Sequence, residues 1–448
     1  MHQQLSTEAT DVTTSASLVD LDKIEVHLRT HQTYPATRAS LLAACFDLQD
    51  FSDFERTWFL RALPDGTFLS ADDVLAAVRG EAVATPTPAS LTPATTPIQQ
   101  AKLEAFLGKV VGDLGAAMNT ALVVIGDRLG LYKALSGAGP LTPGELAERT
   151  GTHERYVREW LCAQAAGGYV SYDAATKRFT LPPEQAAALA DETSPAYIPG
   201  GFYIAEAVVR AQAQAAENFR TGRGMRWGEH ASCLFEGTER FFRSSYIGNL
   251  TNAWIPSLEG VEAKLRASAL VADVGCGLGA STILMAQTYP QSRFRGFDAH
   301  PESIALARQR AGAAGVSDRV TFEVARSTDF PGTGYDLVAH FDCLHDMGDP
   351  AGAARHVRRS LAPDGVWMIV EPSASDRVEE NLNPVGRVYY AASTILCVPA
   401  SLADGEPAAA LGAQAGESRV KRVVHEGGFT RFRRASQTPF NAVFEARS

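Results

Sequence analysis

Long uninterrupted apolar runs are missing from this 448-residue chain: no stretch of about 18 apolar residues appears, which argues against a membrane-spanning helix and against a membrane partner. Metal-ligand spacing is missing too. The six cysteines, Cys45, Cys162, Cys233, Cys276, Cys343 and Cys397, are scattered, with no C-x-x-C pair and no histidine at zinc-finger distance, so they read as reduced thiols and no metal site is expected. Positive charge is in deficit. With 41 Lys and Arg against 51 Asp and Glu, the net charge is -10, which works against polyanion binding by the whole surface. The N-terminal MHQQLSTEATDVTTSAS lacks a basic segment followed by an apolar one, so a cytoplasmic location is expected. Against these deficits stands a hydrophobic content of 45%, enough in a chain of this length for two or three domains.

Residues 1–17 are polar and rich in Ser and Thr, and are expected to form a disordered tail. Residues 18–81 hold short helical patterns, VDLDKIEVHL, YPATRASLLAACF, DFERTWFLRAL and SADDVLAAVRG, and are expected to form a small helical domain; Ser70 and Asp73 stand at capping-box spacing. The patterns YPATR and SADDVLAAV resemble a small bacterial helical domain of unknown function, which brings no chemistry with it. Spaced prolines in AVATPTPASLTPATTP make residues 82–98 an extended spacer.

In residues 99–194, Leu103, Phe106, Leu107, Val110, Val111 and Leu114 recur at helical spacing on one face of a first helix. Three further helical segments, LVVIGDRLGLYKAL, LTPGELAERTG and THERYVREWLCAQAAGG, and the hairpin YVSYDAATKRFTL complete a winged helix-turn-helix. The order invites a DNA-binding reading. In the recognition-helix position, however, Glu154, Arg155, Arg158 and Glu159 cancel, and phosphate contact needs an excess of positive charge, so packing or dimerisation is the expected role and nucleic acid is not an expected partner. Residues 195–266 read as a helical connector whose aromatics either wall a pocket or fill an interdomain core.

From residue 267 to 448 short apolar strands alternate with helices, the pattern of a parallel sheet covered on both faces, which binds ligands at the carboxyl ends of its strands. The first turn reads VADVGCGLGAS, with Asp273, Gly275, Gly277 and Gly279 at two-residue intervals ahead of a helix. A dinucleotide fingerprint is G-x-G-x-x-G; here the spacing is G-x-G-x-G and an acid precedes it, which suits an amino-acid-bearing nucleoside better than a pyrophosphate. Asp298 ends the second strand in RFRGFDAHP, where a carboxylate can accept both ribose hydroxyls.

At these residues the chain resembles the class I S-adenosylmethionine-dependent methyltransferases, which implies an α/β, Rossmann-like seven-stranded sheet behind the winged helix and the small helical domain. The resemblance implies that Asp273, Gly275 and Gly277 line the methionine moiety and Asp298 the ribose, with Cys276, Gly279, Ala299, Ser327, Thr328, Phe341 and Asp342 as further donor-binding residues. Arg326 stands where the family often has an Asp near the adenine.

The segment FDCLHDMGDP follows the fourth strand and matches, as LHDMGD, the LHDW-x-D segment of small-molecule O-methyltransferases, with Met347 in place of Trp. That likeness implies a small-molecule acceptor methylated at a hydroxyl, a dimerising N-terminal domain, His345 as general base and Glu371, in WMIVEP, as the carboxylate that orients it. Read from the residues alone, His345 is either that base or a structural cap, and Asp346 faces either the acceptor or the next helix. Asp349, before Pro350, is expected to start that helix. A long insert before the last two strands offers Asn383, Tyr389, Tyr390 and Gln414, as pocket residues or as parts of a surface excursion. Two other functions fit the same motifs: a donor-binding winged-helix regulator without turnover, and a thiol or metalloid methyltransferase using Cys343 and Cys397.

Overall fold

Short amphipathic patterns at the start of the chain fold as helices in the computed structural model, which describes residues 19–30, 32–46, 52–80, 98–404 and 408–448. The tail 1–17 and nearly all of the spacer 82–98 lie outside the described residues. The chain forms two compact units, residues 1–103 and 104–448. In the first, α1 (Leu21–Thr30), β1 (Ala36–Thr37), α2 (Arg38–Phe46), α3 (Asp53–Ala62), β2 (Thr67–Phe68) and α4 (Ala71–Val78) close over Leu28, Leu41, Phe59 and Val74. Ser70 caps α4 by accepting the Asp73 amide at 3.2 Å, and the Asp73 carboxylate accepts the amide of Leu69 at 2.9 Å. The reciprocal bond thus falls one residue before the cap.

The second unit begins within α5 (Gln100–Arg128), followed by α6 (Leu131–Leu135), α7 (Pro143–Thr150), α8 (Glu154–Ala166) and the wing, β3 (Ser171–Asp173) paired with β4 (Arg178–Thr180). Val123, Leu131, Tyr132, Leu146, Val157, Trp160 and Phe179 form its core. On α8, Arg155 pairs with Glu159 and Arg158 with Glu154, both four residues apart. One expectation needs correcting: α5 is long and apolar enough to cross a membrane by length and composition, with 17% of its most apolar window buried. Reading uninterrupted runs misses it because Asp113 and small polar residues break the run while mean hydropathy stays at 1.3.

The winged-helix segment ends with α9 (Pro183–Leu189), and the connector supplies α10 (Pro199–Arg210), α11 (Gln212–Thr221), α12 (Cys233–Asn249) and α13 (Val261–Ala267). Helices α10 and α12 cross at Gly200 and Gly237; a Cβ on Gly200 would sit 2.4 Å from the Phe241 amide nitrogen, so only glycine permits this approach. Asp127 at the end of α5 accepts from Tyr197, Tyr203 and Arg240, tying the connector to the winged helix.

Strands and helices then alternate: β5 (Leu270–Val274), α14 (Ala280–Thr288), β6 (Arg293–Asp298), α15 (Pro301–Ala313), β7 (Val320–Val324), β8 (Tyr335–Phe341), α16 (Pro350–Ser360) and β9 (Leu361–Pro372). The insert carries α17 (Pro384–Ile395) and α18 (Cys397–Ala403), and α19 (Glu417–Glu426), β10 (Arg431–Gln437) and β11 (Asn441–Arg447) complete the chain. The seven strands lie in the order β10-β11-β9-β8-β5-β6-β7, with β11 antiparallel to both neighbours and the rest parallel. Because side chains alternate along a strand, Val271, Met368 and Val370 face one core while Ala272, Trp367 and Ile369 face the other. After β7 the chain returns to the far side of β5, so a topological switch point lies between β5 and β8, where sheets of this kind open a ligand crevice.

Candidate active site

At the switch point lies a cavity of about 1360 Å³. Its floor on one side is the turn after β5. The amides of Gly275 and Cys276 both donate to the Phe297 carbonyl, and the Gly277 amide donates to Asp298 Oδ2 at 2.9 Å. Gly277 has φ 51° and a Cβ there would meet nothing within 4 Å, so its backbone faces open space. Asp298 Oδ1 accepts the His300 amide at 2.9 Å, and His300 stacks on Phe235 with centroids 4.5 Å apart. Both Asp298 oxygens keep a lone pair for a ribose diol. A glycine turn open to a helix N-terminus, an adjacent strand-end carboxylate and a volume above that of one nucleoside together fit S-adenosylmethionine with room for an acceptor.

Most of the expected donor residues line this cavity: Gly275, Cys276, Gly277 and Asp298, then Ala299, Ser327 and Thr328, and Phe341 and Asp342 at the end of β8. Arg326 lines it as well. Asp273 and Gly279 do not. Asp273 lies behind the turn, buried, with Oδ2 accepting from Ser281 and Thr282 at 2.6 Å each; burial pushes its pKa up to about 6, against the pull of those hydroxyls. It braces the turn to α14. Gly279 packs: a Cβ there would come within 2.7 Å of the Phe322 ring.

The other side is built around His345. After β8 the backbone turns at Asp342, which has φ 49°, and a short 3-10 turn, Leu344–Asp346, carries the histidine back over the sheet edge. Glu371, at the end of β9, accepts the Leu344 amide through Oε1 at 3.1 Å, and its Oε2 lies 2.5 Å from His345 Nδ1. Nε2 is left on the side of Asp346, whose Oδ1 is 3.1 Å away. Burial opposes charge on this imidazole, but the carboxylates of Glu371 and Asp346 outweigh it and hold the pKa well above the ordinary histidine range. Burial, followed by the charge of Glu371, raises the Asp342 carboxyl well above its usual range as well; Asn441 donates to its Oδ1 at 2.7 Å. Asp349 caps α16 by accepting the Gly352 amide at 2.6 Å, which leaves Asp346 to the cavity. His340, inside β8, is buried and accepts from the Trp367 indole, and burial holds its pKa at about 3.

Of the residues expected from the insert, Tyr389 lines the cavity, buried, its hydroxyl donating to the Phe440 carbonyl at 2.9 Å. Asn383, Tyr390 and Gln414 are corrected, since none of them does. Asn383 is exposed and caps α17, Tyr390 is rotated by one helix position away from Tyr389, and the Gln414 amide donates to the Ala413 carbonyl. Two residues singled out for other reasons, or not at all, stand at the site. Trp227, within the aromatic-rich connector, donates its indole N–H to Asp346 Oδ2 at 3.2 Å. Cys397, at the start of α18, approaches His345 and Asp346, a contact no local pattern signals.

Residues 266–428 match a methyltransferase domain family, and residues 117–191 match the Rv2258c-like winged HTH domain. Among curated proteins, the chain is 30% identical over 131 residues to the 27-O-demethylrifamycin SV methyltransferase of Amycolatopsis mediterranei, covering 28% of this chain and 48% of that protein. The chain spans less than half the length of the curated relatives it matches first. Among solved structures, the mitomycin 7-O-methyltransferase superposes with a TM-score of 0.58 at 20% identity, over 78% of this chain and 100% of that one. Human N-acetylserotonin methyltransferase, in complex with SAM, superposes with a TM-score of 0.58 at 17% identity, over 79% and 99%. The chain therefore carries a winged helix-turn-helix domain and a methyltransferase domain, arranged in the fold of the class I S-adenosylmethionine-dependent methyltransferases.

Proposed function

We propose that the protein is a methyltransferase that moves a methyl group from S-adenosylmethionine to a hydroxyl of a small-molecule acceptor, with His345 as general base and Glu371 as its orienting partner. The observation that carries this reading is the buried dyad: Glu371 Oε2 sits 2.5 Å from His345 Nδ1 at the edge of the same cavity that the glycine turn opens onto. When bound, S-adenosylmethionine supplies an electrophilic methyl group on a sulfonium, a leaving group that needs no acid assistance. The protein's task is alignment and proton removal. Gly277 and Asp298 hold the donor's polar parts, Trp227, Phe235 and Tyr389 give the acceptor apolar walls, and Glu371 fixes the imidazole tautomer so that Nε2 is the accepting atom.

Incubating the protein with methyl-labelled donor and a small-molecule extract of the host, then identifying the labelled product, tests the reaction class; label on nitrogen or sulfur alone would overturn the hydroxyl assignment. His345→Ala is expected to lower turnover by about 10²–10⁴-fold. Donor affinity should stay within about threefold of wild type; its loss instead would make His345 structural.

The same reading extends to assembly. Phe106, Leu107, Val111 and Leu114 on α5 are half or more exposed, and a second copy of the chain would cover them. Sedimentation giving a monomer at micromolar concentration removes this homodimer. The paired charges of α8 favour packing over DNA contact for the winged helix.

A further inference from the structure

We propose that His345, Asp346 and Cys397 form a site for a divalent cation of the zinc class, with its open coordination position facing the cavity. One ligand atom from each residue, the histidine nitrogen, a carboxylate oxygen and the thiol sulfur, lies within 4.8 Å of the others. Zn²⁺ bonds N and O at about 2.0–2.2 Å and S at about 2.3 Å, so ligand atoms around one ion lie about 3.3–3.6 Å apart, and side-chain rotations that draw the set in by about an ångström close it around one ion. Nitrogen, sulfur and carboxylate oxygen are the donors that borderline-soft cations select.

Two features beyond proximity point to a ligand. Asp346 is nine-tenths buried, with its side chain 10% exposed, and among the described residues its Oδ1 has no well-aligned hydrogen bond, its near partner being the His345 Nε2 at 3.1 Å as an ion pair. The remaining valences are already engaged. Glu371 holds His345 Nδ1 and the Trp227 indole holds Asp346 Oδ2, so Nε2 and Oδ1 are the atoms turned toward the gap, and a carboxylate behind the ligating imidazole is the usual support of a metal-bound histidine. Three protein ligands with a fourth side on the cavity is the arrangement of an open site rather than a closed structural one. Binding takes the sulfur as thiolate and Nε2 as neutral imidazole, and the displaced protons pass to solvent. A cation on Nε2 uses the lone pair that proton acceptance requires, so occupancy blocks methyl transfer; this clause rests on His345 being the base.

Stoichiometric Co²⁺ added to the chelator-treated full chain reads the site directly. One equivalent should produce a near-ultraviolet thiolate-to-cobalt band that Zn²⁺ displaces. Cys397→Ser should abolish the band with the thermal transition retained, Cys343→Ser should leave it, and Asp346→Asn should weaken Co²⁺ binding at least tenfold. No band in the wild type, or a band that survives Cys397→Ser, overturns the site. Turnover of the same samples should fall as the band grows and return with chelator; full turnover with the band complete overturns the blocking role. A protein that forms the band but turns over no acceptor confirms the cation site and counts against the methyl-transfer reading instead.

Discussion

The donor side of the cavity is walled largely by backbone, the Gly275–Gly277 turn whose amides are held by Phe297 and Asp298, with Asp298 and Arg326 as its charged side chains, all from the ends of three adjacent strands. The acceptor side is walled by side chains from elements far apart in sequence, Trp227 before α12, His345 after β8, Tyr389 on α17 and Cys397 on α18. Charge differs as well. Two carboxylates, Asp346 and Glu371, crowd the acceptor side around one imidazole. A backbone wall tolerates little variation but recognises a fixed ligand, whereas a side-chain wall can change its acceptor by substitution without touching the donor.

Substitutions should respect that division. On the acceptor side, Glu371→Gln is expected to lower turnover by about 10²-fold while donor affinity holds, a difference calorimetry and initial rates separate. The pH profile sharpens the point, measured with chelator present. A base must be neutral to accept a proton, and His345 has a raised pKa, so turnover should climb with pH and level off only above the ordinary histidine value of about 6.5; in Glu371→Gln the inflection should move down towards that value. On the donor side, Gly277→Ala should weaken donor binding by about tenfold, because its Cβ enters the open space over the turn, and should cost only the roughly 1–2 kcal/mol of its positive φ in unfolding. Gly279→Ala should do the converse, costing about 3 kcal/mol in denaturant unfolding through positive φ and overlap with Phe322. The smallest effect is expected from Trp227→Phe, which keeps the apolar wall but releases Asp346 Oδ2: a rise of about threefold in acceptor KM with donor affinity unchanged. A Trp227→Phe protein that loses donor affinity would erase the boundary between the two sides.

Contiguous motifs were legible because their chemistry is local. The G-x-G-x-G turn, the acid at the end of β6 and the LHDMGD segment each set their own backbone within a few residues, so the seven-stranded sheet and the positions of Gly277, Asp298, His345 and Glu371 follow from strand alternation and its one switch point. Burial within such a motif was harder to read. Asp273 stands in β5 just before the turn that Gly275 opens, yet its side chain is buried against Ser281 and Thr282 of α14 and does not line the cavity. The insert was less legible still, since Tyr389 and Tyr390 are neighbours in sequence and about 100° apart on a helix.

By itself, then, the amino-acid sequence determined the alternating strand pattern, the glycine turn and the places of His345 and Glu371 after neighbouring strands, all of them features of short segments whose geometry is set by steric and hydrogen-bonding rules that act within a turn or a strand. Only the tertiary structure decided that Trp227, Asp346 and Cys397 meet at His345, because that meeting depends on how α18 and the residues before α12 pack over the sheet edge, through contacts spanning 119 positions from Trp227 to Asp346. No local rule carries information over such a distance.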